Sequence, residues 1–93
     1  MYNPLTAYET IALMGSRFKQ YRRALGMSQK RLHEITGVAM STISLFENGK
    51  GQGMSLSHFL LLIKALDLEF DYESIIPEVR KKDLAKLWKE QNR

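Results

Sequence analysis

The chain has 93 residues, enough for one modest hydrophobic core, and it contains no cysteine, which excludes disulfides and thiolate-ligated metal sites. Its net charge of +4 lies in residues 1–53, where seven basic side chains accompany three acidic ones. A basic half suits a polyanion such as nucleic acid, although the same charge is equally compatible with solubility alone. The start lacks the regions of a signal peptide, and the longest apolar run, residues 59–63, is too short to span a bilayer, so we expect a cytoplasmic protein.

The first predicted helix begins at a capping box and ends at a glycine. Thr6 and Glu9 have the spacing at which each side chain bonds the other residue's backbone N–H, and Gly26 is a helix terminator. Between them, apolar residues at steps of three and four predict one long amphipathic helix. The predicted apolar stripe consists of Tyr8, Ile11, Met14, Phe18, Tyr21 and Leu25.

Two short helices are predicted next. Ser28 is placed to cap the second helix, which ends at Gly37 and whose predicted inward residues are Leu32 and Ile35. The third helix is predicted from about residue 39 to residue 47, with Ile43 and Phe46 on its inner face. Its outward positions hold the short hydroxyl residues Ser41, Thr42 and Ser44.

A fourth helix is predicted from its cap at Ser55 to about Leu66. Its predicted inward residues are Leu56, Phe59, Leu60, Ile63 and Leu66. After it, apolar and acidic residues alternate from 68 to 72, which allows a short strand; the alternative is a short helix capped by Asp71 and stopped by Pro77.

The C-terminal part is divided into charge blocks. Residues 67–78 hold five acidic side chains and no basic one, whereas residues 80–93 hold six basic and two acidic side chains. Leu84, Leu87 and Trp88 are spaced to line one face of a final basic helix, and the alternative is a tail ordered only on binding.

Two short helices joined by a glycine turn form a helix-turn-helix pattern, and the major groove of B-DNA accepts one such helix. The hydroxyls of Ser41 and Thr42 can bond base edges, and Met40 can pack against a thymine methyl group. The alternative is that these are merely solvated residues. Gly37, the Ile43/Phe46 face and the basic preceding helices favour DNA.

Catalysis and metal binding find no support in the sequence. There is no glycine-rich phosphate loop, no nucleophile elbow and no distinctive carboxylate pair, so we predict that the protein is not an enzyme. His33 and His58 have no histidine or cysteine near them in sequence, and we predict neither a metal nor another cofactor.

Residues 25–50, LGMSQKRLHEITGVAMSTISLFENGK, resemble the Cro- and phage-repressor-type helix-turn-helix family, often called Xre. The flanking stretches MGSRFKQYRRALG and SLSHFLLLIKALDL resemble its first and fourth helices. The resemblance implies an all-α, compact lambda-repressor-like domain of four to five helices that binds double-stranded DNA, at a palindromic operator, as a homodimeric repressor. We assign residues 1–76 to this domain, with the helix-turn-helix at 28–48, and residues 77–93 to a basic C-terminal helix or tail.

The resemblance also implies a residue-level site. By position, Gln29 contacts the sugar-phosphate backbone, Asn48 and Lys50 contact phosphate, and the base-facing residues are Met40, Ser41, Thr42 and Leu45. Arg22 and Glu47 match a pair that links the first helix to the end of the third.

Three departures from the family pattern predict modest intrinsic affinity for DNA. Leu45 stands where the family often has a polar residue, the loop GKGQGMS lacks additional basic residues, and His33 replaces a usual alanine where the two helices cross. A protein-interaction module that has lost DNA binding therefore remains an alternative.

Surplus apolar residues predict a homodimer interface, formed by Leu61, Leu68, Phe70 and Tyr72. The alternative is that the final helix covers them. The C-terminal part is similar to HipB-like antitoxins, which repress their own operon and bind HipA-like kinase toxins; a free-standing phage-type repressor and a restriction-control repressor are the competing hypotheses.

Overall fold

The computed structural model describes residues 5–92, and within that range all regular secondary structure is helical. The prediction of an all-α, lambda-repressor-like fold is confirmed. Residues 1–4 and residue 93, the outer ends of the two predicted segments, lie outside the described residues. The six α-helices are α1 (Ala7–Ala24), α2 (Gln29–Thr36), α3 (Met40–Glu47), α4 (Leu56–Ala65), α5 (Tyr72–Ile75) and α6 (Leu84–Gln91), with a 3-10 turn at Lys81–Asp83 before α6.

The predicted helix caps are all present. The Glu9 backbone N–H donates to the Thr6 hydroxyl at 3.1 Å, and the Glu9 carboxylate accepts from the Thr6 backbone N–H, which completes the capping box. The Ser28 and Ser55 hydroxyls accept backbone N–H groups from the first turns of α2 and α4. In contrast, α3 begins at Ala39 without a side-chain cap, so its stability depends on packing.

The core is built around α3. Ile43 and Phe46 are buried as predicted, and the Phe46 ring lies between Phe18 and Phe59 at centroid distances of 5.4 and 5.9 Å. These offset and edge-to-face ring pairs add directional contacts to the burial of apolar area. The buried apolar residues are Phe18, Leu32, Val38, Ile43, Phe46, Leu62 and Leu66.

The predicted apolar stripes were too broad. Tyr8, Tyr21 and Leu25 are exposed, because α1 buries only Gly15, Phe18 and Arg22. Ile35 of α2 and Leu56 of α4 are also exposed, so their predicted inward positions are wrong. On α4 the fully buried residue is Leu62, which was not among the predicted inward residues. Leu62 and Leu66, four apart, set the inner face, and Leu56 lies about 120° around the helix from Leu62.

The C-terminal part is helical but does not cover the apolar residues of α4. The strand alternative at 68–72 is wrong: Asp71 caps α5, and hydrogen bonds from Ser74 lower the pKa of this carboxylate. Leu61 remains 45% exposed and Trp88 of α6 remains 68% exposed. The radius of gyration is 16.6 Å, compared with about 12 Å expected for a compact chain of this length, so the described chain is elongated. Within residues 5–92, no helix is long and apolar enough to cross a membrane.

Two glycines let the backbone of α3 approach its neighbours. A Cβ atom at Gly15 would lie 1.9 Å from the carbonyl oxygen of Phe46, far inside van der Waals contact. A Cβ atom at Gly51 would lie 2.8 Å from the Phe46 ring. Phe46 is therefore enclosed on two sides where only hydrogen atoms fit, a constraint that the sequence alone did not reveal.

A buried ion pair joins α1 to the last residue of α3. The Arg22 guanidinium donates from Nε to Glu47 Oε2 at 2.6 Å and from Nη2 to Oε1 at 2.8 Å. Its Nη1 donates to the Met27 carbonyl at 2.7 Å, and the Gln29 amide donates to Glu47 at 3.1 Å. One carboxylate thus connects α1, the start of α2 and the end of α3.

The protonation state of this pair follows from its partners. Burial raises the pKa of Glu47, but the hydrogen bonds from Arg22 and Gln29 and the Arg22 charge outweigh burial and hold that pKa below its ordinary value of 4.5. The hydrogen bond to Glu47 raises the pKa of Arg22. Both groups are therefore charged at neutral pH.

Gly15→Ala is expected to destabilise the domain by about 1–3 kcal/mol, because the new methyl group would displace the α3 backbone at Phe46. This loss opposes the gain in helix propensity that alanine brings. Denaturant unfolding measures the change. Ser16→Ala, at the exposed neighbouring position, is the control and is expected to leave stability equal or slightly higher; an equally stable Gly15→Ala would show that α1 and α3 are not in close contact.

Glu47→Ala is expected to cost about 3 kcal/mol of unfolding free energy, because it leaves the buried Arg22 charge uncompensated. Glu34→Ala is the matched control: it removes an exposed carboxylate that lies 3.7 Å from Arg31, and it is expected to cost under about 1 kcal/mol. Thermal and denaturant melts of both variants would contradict the structural role of the pair if the two losses were equal.

The stabilisation by Glu47 is expected to depend on pH. Its folded-state pKa is depressed, so its contribution is fully present above its ordinary value of 4.5 and is lost as the pH falls through the folded-state value. The difference in unfolding free energy between the wild-type chain and Glu47→Gln should therefore shrink below about pH 4.5. A difference that stays constant from pH 7 to pH 3 would contradict the assignment.

Candidate DNA-binding surface

The outward face of α3 is the candidate recognition surface. Ser41, Leu45 and Asn48 follow one another at steps of four and three, so they share a face, opposite the buried Ile43. All three are exposed, and Leu45 is exposed over half of its surface. The helix therefore presents a narrow edge that carries one hydroxyl, one aliphatic chain and one amide.

The remaining predicted base-facing residues border this edge. Met40, in the first turn of α3, is exposed, whereas Thr42 is half-buried. The first turn of α3 is the part that a helix-turn-helix presents to base edges. The structure thus brings Met40, Ser41, Thr42 and Leu45 together on one short helix, although Thr42 is the least accessible of the four.

The predicted phosphate-facing residues lie at the two ends of the motif. Lys50 follows α3, and its backbone N–H donates to the Leu45 carbonyl at 2.8 Å, which fixes the loop close to the helix end. The Asn48 amide donates to the Ser44 hydroxyl at 3.3 Å. Gln29 begins α2, where one N–H of its amide already donates to Glu47 and the other remains available to an acceptor.

The turn between α2 and α3 is held by polar contacts that fix the direction of the recognition helix. Gly37 has a φ of 74°, a left-handed conformation that suits glycine, and its N–H donates to the His33 carbonyl at 2.8 Å. The Val38 N–H donates to the Thr36 hydroxyl at 3.1 Å. Val38 itself is buried, so both the backbone and the side chain of the turn are immobilised.

His33 lies in the last turn of α2, next to this turn, and is exposed, so it is not buried where α2 crosses α3. Its Nδ1 lies 2.8 Å from the Val38 carbonyl oxygen. Because a carbonyl only accepts hydrogen bonds, Nδ1 carries the proton in this contact. The residue that departs from the family's usual alanine therefore makes an additional hydrogen bond across the turn.

A shallow hollow of about 360 Å³ adjoins the recognition edge. It lies between α3, the loop after it and the start of α4, and its lining includes Thr42, Leu45, Lys50, Ser55 and His58. From the sequence, a packed or surface position was favoured for His58 over a role as a metal ligand. Its position three residues after the Ser55 cap places it in the first turn of α4, and only the fold brings that turn beside Lys50.

The charge of this half of the molecule favours a polyanion. Arg22 is paired with the buried Glu47, and Arg31 lies near Glu34 on the surface. Outside these two pairs, residues 5–53 carry five basic side chains and one acidic side chain, Glu9. The basic residues are Arg17, Lys19, Arg23, Lys30 and Lys50. Such an excess attracts phosphate backbones without regard to sequence.

Comparisons with known proteins agree with this geometry. A helix-turn-helix family model matches residues 18–72. Among solved structures, the restriction-modification controller protein C.AhdI from Aeromonas hydrophila is similar, with 33% sequence identity and a TM-score of 0.58. The similarity covers 64% of this chain and 89% of that one. No curated protein matches the chain.

The family match covers more than half of the chain, including the ion pair, the α2–α3 turn and the recognition edge. The predicted resemblance is thereby confirmed, and it supports a DNA-binding transcriptional regulator. The chain belongs to the Xre-type helix-turn-helix family, with a lambda-repressor-like fold.

Proposed function

We propose that the protein is a sequence-specific repressor that binds a palindromic operator as a homodimer, with α3 of each copy in the major groove. The observation that carries the proposal is the exposed Ser41–Leu45–Asn48 edge on a helix whose other face is buried and ion-paired. A helix held in this way can keep its side chains in register with base edges without ordering on contact.

The side chains on α3 favour a particular division of roles. The Ser41 and Thr42 hydroxyls donate to or accept from base edges, while Met40 and Leu45 offer apolar contact to thymine methyl groups. Lys50, Asn48 and the available amide hydrogen of Gln29 contact phosphates and fix the register. Leu45 makes this surface less polar than is usual in the family, so thymine contacts carry more of the specificity.

The homodimer is favoured by an apolar groove on the side of α4. The groove has a volume of about 1040 Å³, and all four residues predicted for the dimer interface line it: Leu61, Leu68, Phe70 and Tyr72. Leu61, Phe70 and Tyr72 are exposed, and Leu68 also packs against the core. A twofold dimer presents two recognition helices to two half-sites, which matches a palindromic operator.

Among the possible regulatory roles of the protein, one is favoured by a specific observation. The similarity to C.AhdI, a restriction-modification controller, supports a restriction-control repressor. A free-standing phage-type repressor, a HipB-like antitoxin that binds a HipA-like kinase toxin, and an interaction module without DNA binding are the competing hypotheses. Restriction and modification genes beside this gene would favour the first role, and a kinase-like reading frame would favour the antitoxin role.

The test of DNA reading begins with selection of an operator from a pool of random duplexes, for which we expect a palindromic consensus. Lys50→Ala should then weaken binding to operator and scrambled duplex alike and reduce the salt slope by about one unit for each phosphate that Lys50 neutralises. Ser41→Ala should leave the salt slope nearly unchanged and relax the preference at one base pair of each half-site by about 1 kcal/mol, roughly fivefold. Fluorescence anisotropy over a salt series measures both effects.

Matched controls separate these effects from general changes in charge or fold. Lys86→Ala removes a basic side chain from α6, and Ser16→Ala removes an exposed hydroxyl from α1; neither is expected to change operator preference. If Lys50→Ala and Ser41→Ala lose affinity equally for both duplexes, the hydroxyl edge does not read bases. If the selection enriches no duplex, the proposed sequence-specific binding is contradicted and the interaction-module hypothesis is favoured.

A further inference from the structure

The exposed apolar face of α6 has no role in the proposed DNA contact. Leu84, Leu87, Trp88 and Gln91 share one face of this helix, because they follow at steps of three, one and three. The three apolar members of the face are exposed, Trp88 most of all. Burying a tryptophan ring away from water is favourable in free energy, so this face is expected to pack against another surface.

The groove beside α4 has a complementary chemical character. Its walls include Leu60 and Leu61 from α4 and Phe70 from the following segment, and Phe70 is held edge-to-face against Phe59 at 6.0 Å. Charged residues also line it, three of them acidic and one basic: Asp67, Glu69, Asp71 and Lys64. The groove is thus apolar along its walls and negatively charged along its rim.

The charge of the α6 region is opposite to that of the groove. From residue 80 to residue 92 there are five basic and two acidic side chains. On α6 itself, Lys86 and Lys89 lie on the side opposite the apolar face, so their charges act on the groove through the electrostatic field of the segment and not through contact with its rim. As a helix of eight residues, α6 is about 12 Å long.

The segment before α6 directs the helix away from its own groove. Ile76 and Arg80 have extended backbone conformations, with ψ angles of 83° and 143°, and Pro77 lies between them. The Arg80 side chain donates to Asp83 at 2.8 Å and holds the turn that leads into α6. As a result Leu61, Tyr72 and Trp88 are exposed in the same chain, and the molecule measures 48 Å along its longest axis.

We propose that α6 of one copy packs into the α4 groove of a second copy, and reciprocally, so that the two copies exchange C-terminal helices. The proposal rests on the homodimer proposed above and names what fills its interface. A twofold axis makes the two helix–groove contacts equivalent, so the effect of any substitution on one contact is doubled. The net positive charge of residues 80–92 and the net negative charge of the groove also favour this pairing over a pairing of two like grooves.

Cross-linking tests whether the contact is between copies. Since the sequence contains no cysteine, Leu61→Cys and Gln91→Cys introduce single thiols on the groove and on the docking face of α6. Oxidation of the mixed variants should give a disulfide-linked species of twice the 10.8 kDa chain mass that contains one chain of each. Lys86→Cys, on the opposite face of α6, is the matched control and should cross-link far less with Leu61→Cys.

The same pair of cysteines placed in one chain distinguishes docking between copies from docking within a copy. A fast intramolecular disulfide, without cross-linking in the mixture of single variants, would show that α6 fills its own groove and would overturn the proposal. Cross-linking that is equal for Gln91→Cys and Lys86→Cys would also overturn it, since random collision would explain both.

Light scattering on substituted full-length chains measures how much the helix–groove contact contributes to the dimer. Leu87→Asp combined with Trp88→Asp should convert a dimer into a monomer without changing the melting temperature of the monomeric domain, because both positions are exposed. Glu69→Lys should raise the dimer dissociation constant roughly three- to tenfold over the two equivalent contacts, because it reverses one charge on the acidic rim of each groove.

The outcomes separate this inference from the proposed homodimer. If the wild-type chain is a monomer at concentrations well above those needed for operator binding, the homodimer and the exchange both fail. If the wild-type chain is a dimer and the Leu87→Asp, Trp88→Asp variant has an unchanged dissociation constant, the exchange fails while the homodimer stands. Loss of the dimer in that variant, together with cross-linking of Leu61→Cys to Gln91→Cys that exceeds cross-linking to Lys86→Cys, supports the exchange.

Discussion

The junction between α1 and the end of α3 determines whether the recognition helix exists at all. An isolated helix of eight residues is unstable in water, and α3 also lacks a side-chain cap at its start. Its stability therefore comes from the burial of Ile43 and Phe46 and from the close approach of Phe46 to Gly15, while the Arg22–Glu47 pair holds its last turn. Burial of two charges costs nearly as much as their attraction returns, so the main effect of the pair is on the direction of α3, which a bidentate contact fixes.

The Glu47 carboxylate also connects α3 to the start of α2, where we propose that Gln29 contacts phosphate. Gln29 donates to the same carboxylate oxygen that accepts from Arg22 Nη2. A phosphate that draws on the second amide hydrogen of Gln29 would therefore act on a group already positioned by the ion pair. Three hydrogen bonds to one buried carboxylate would thus relate the proposed backbone contact to the proposed base reading.

Local sequence signals predicted the helices well and the packing less well. Caps depend on residues three apart, so Thr6, Ser28 and Ser55 identified the helix starts directly. The role of Gly15 depends on Phe46, which is distant in sequence, and no local pattern reports such an approach. Leu62 was missed because the run of consecutive apolar residues on α4 contains no periodicity that distinguishes the buried one. For the site, the glycine turn, the hydroxyl-lined helix and the basic charge already favoured DNA, and the resemblance was needed to assign phosphate contacts to Gln29, Asn48 and Lys50.

The distribution of charge differs between the two halves of the chain, and the proposed roles differ with it: residues 1–53 bind DNA and residues 54–93 form the dimer. In residues 54–93 the seven acidic and seven basic side chains balance, but they lie in separate blocks, on the groove side and around α6. Opposite blocks that are held apart within one chain remain available to a second copy, whereas mixed charges would neutralise one another locally. When the blocks meet between copies, they cancel at the interface and leave the +4 of the first half unopposed. Dimerisation would then bring two recognition helices and two uncancelled basic surfaces to the same duplex, which raises affinity where a single α3 edge with Leu45 offers few polar contacts.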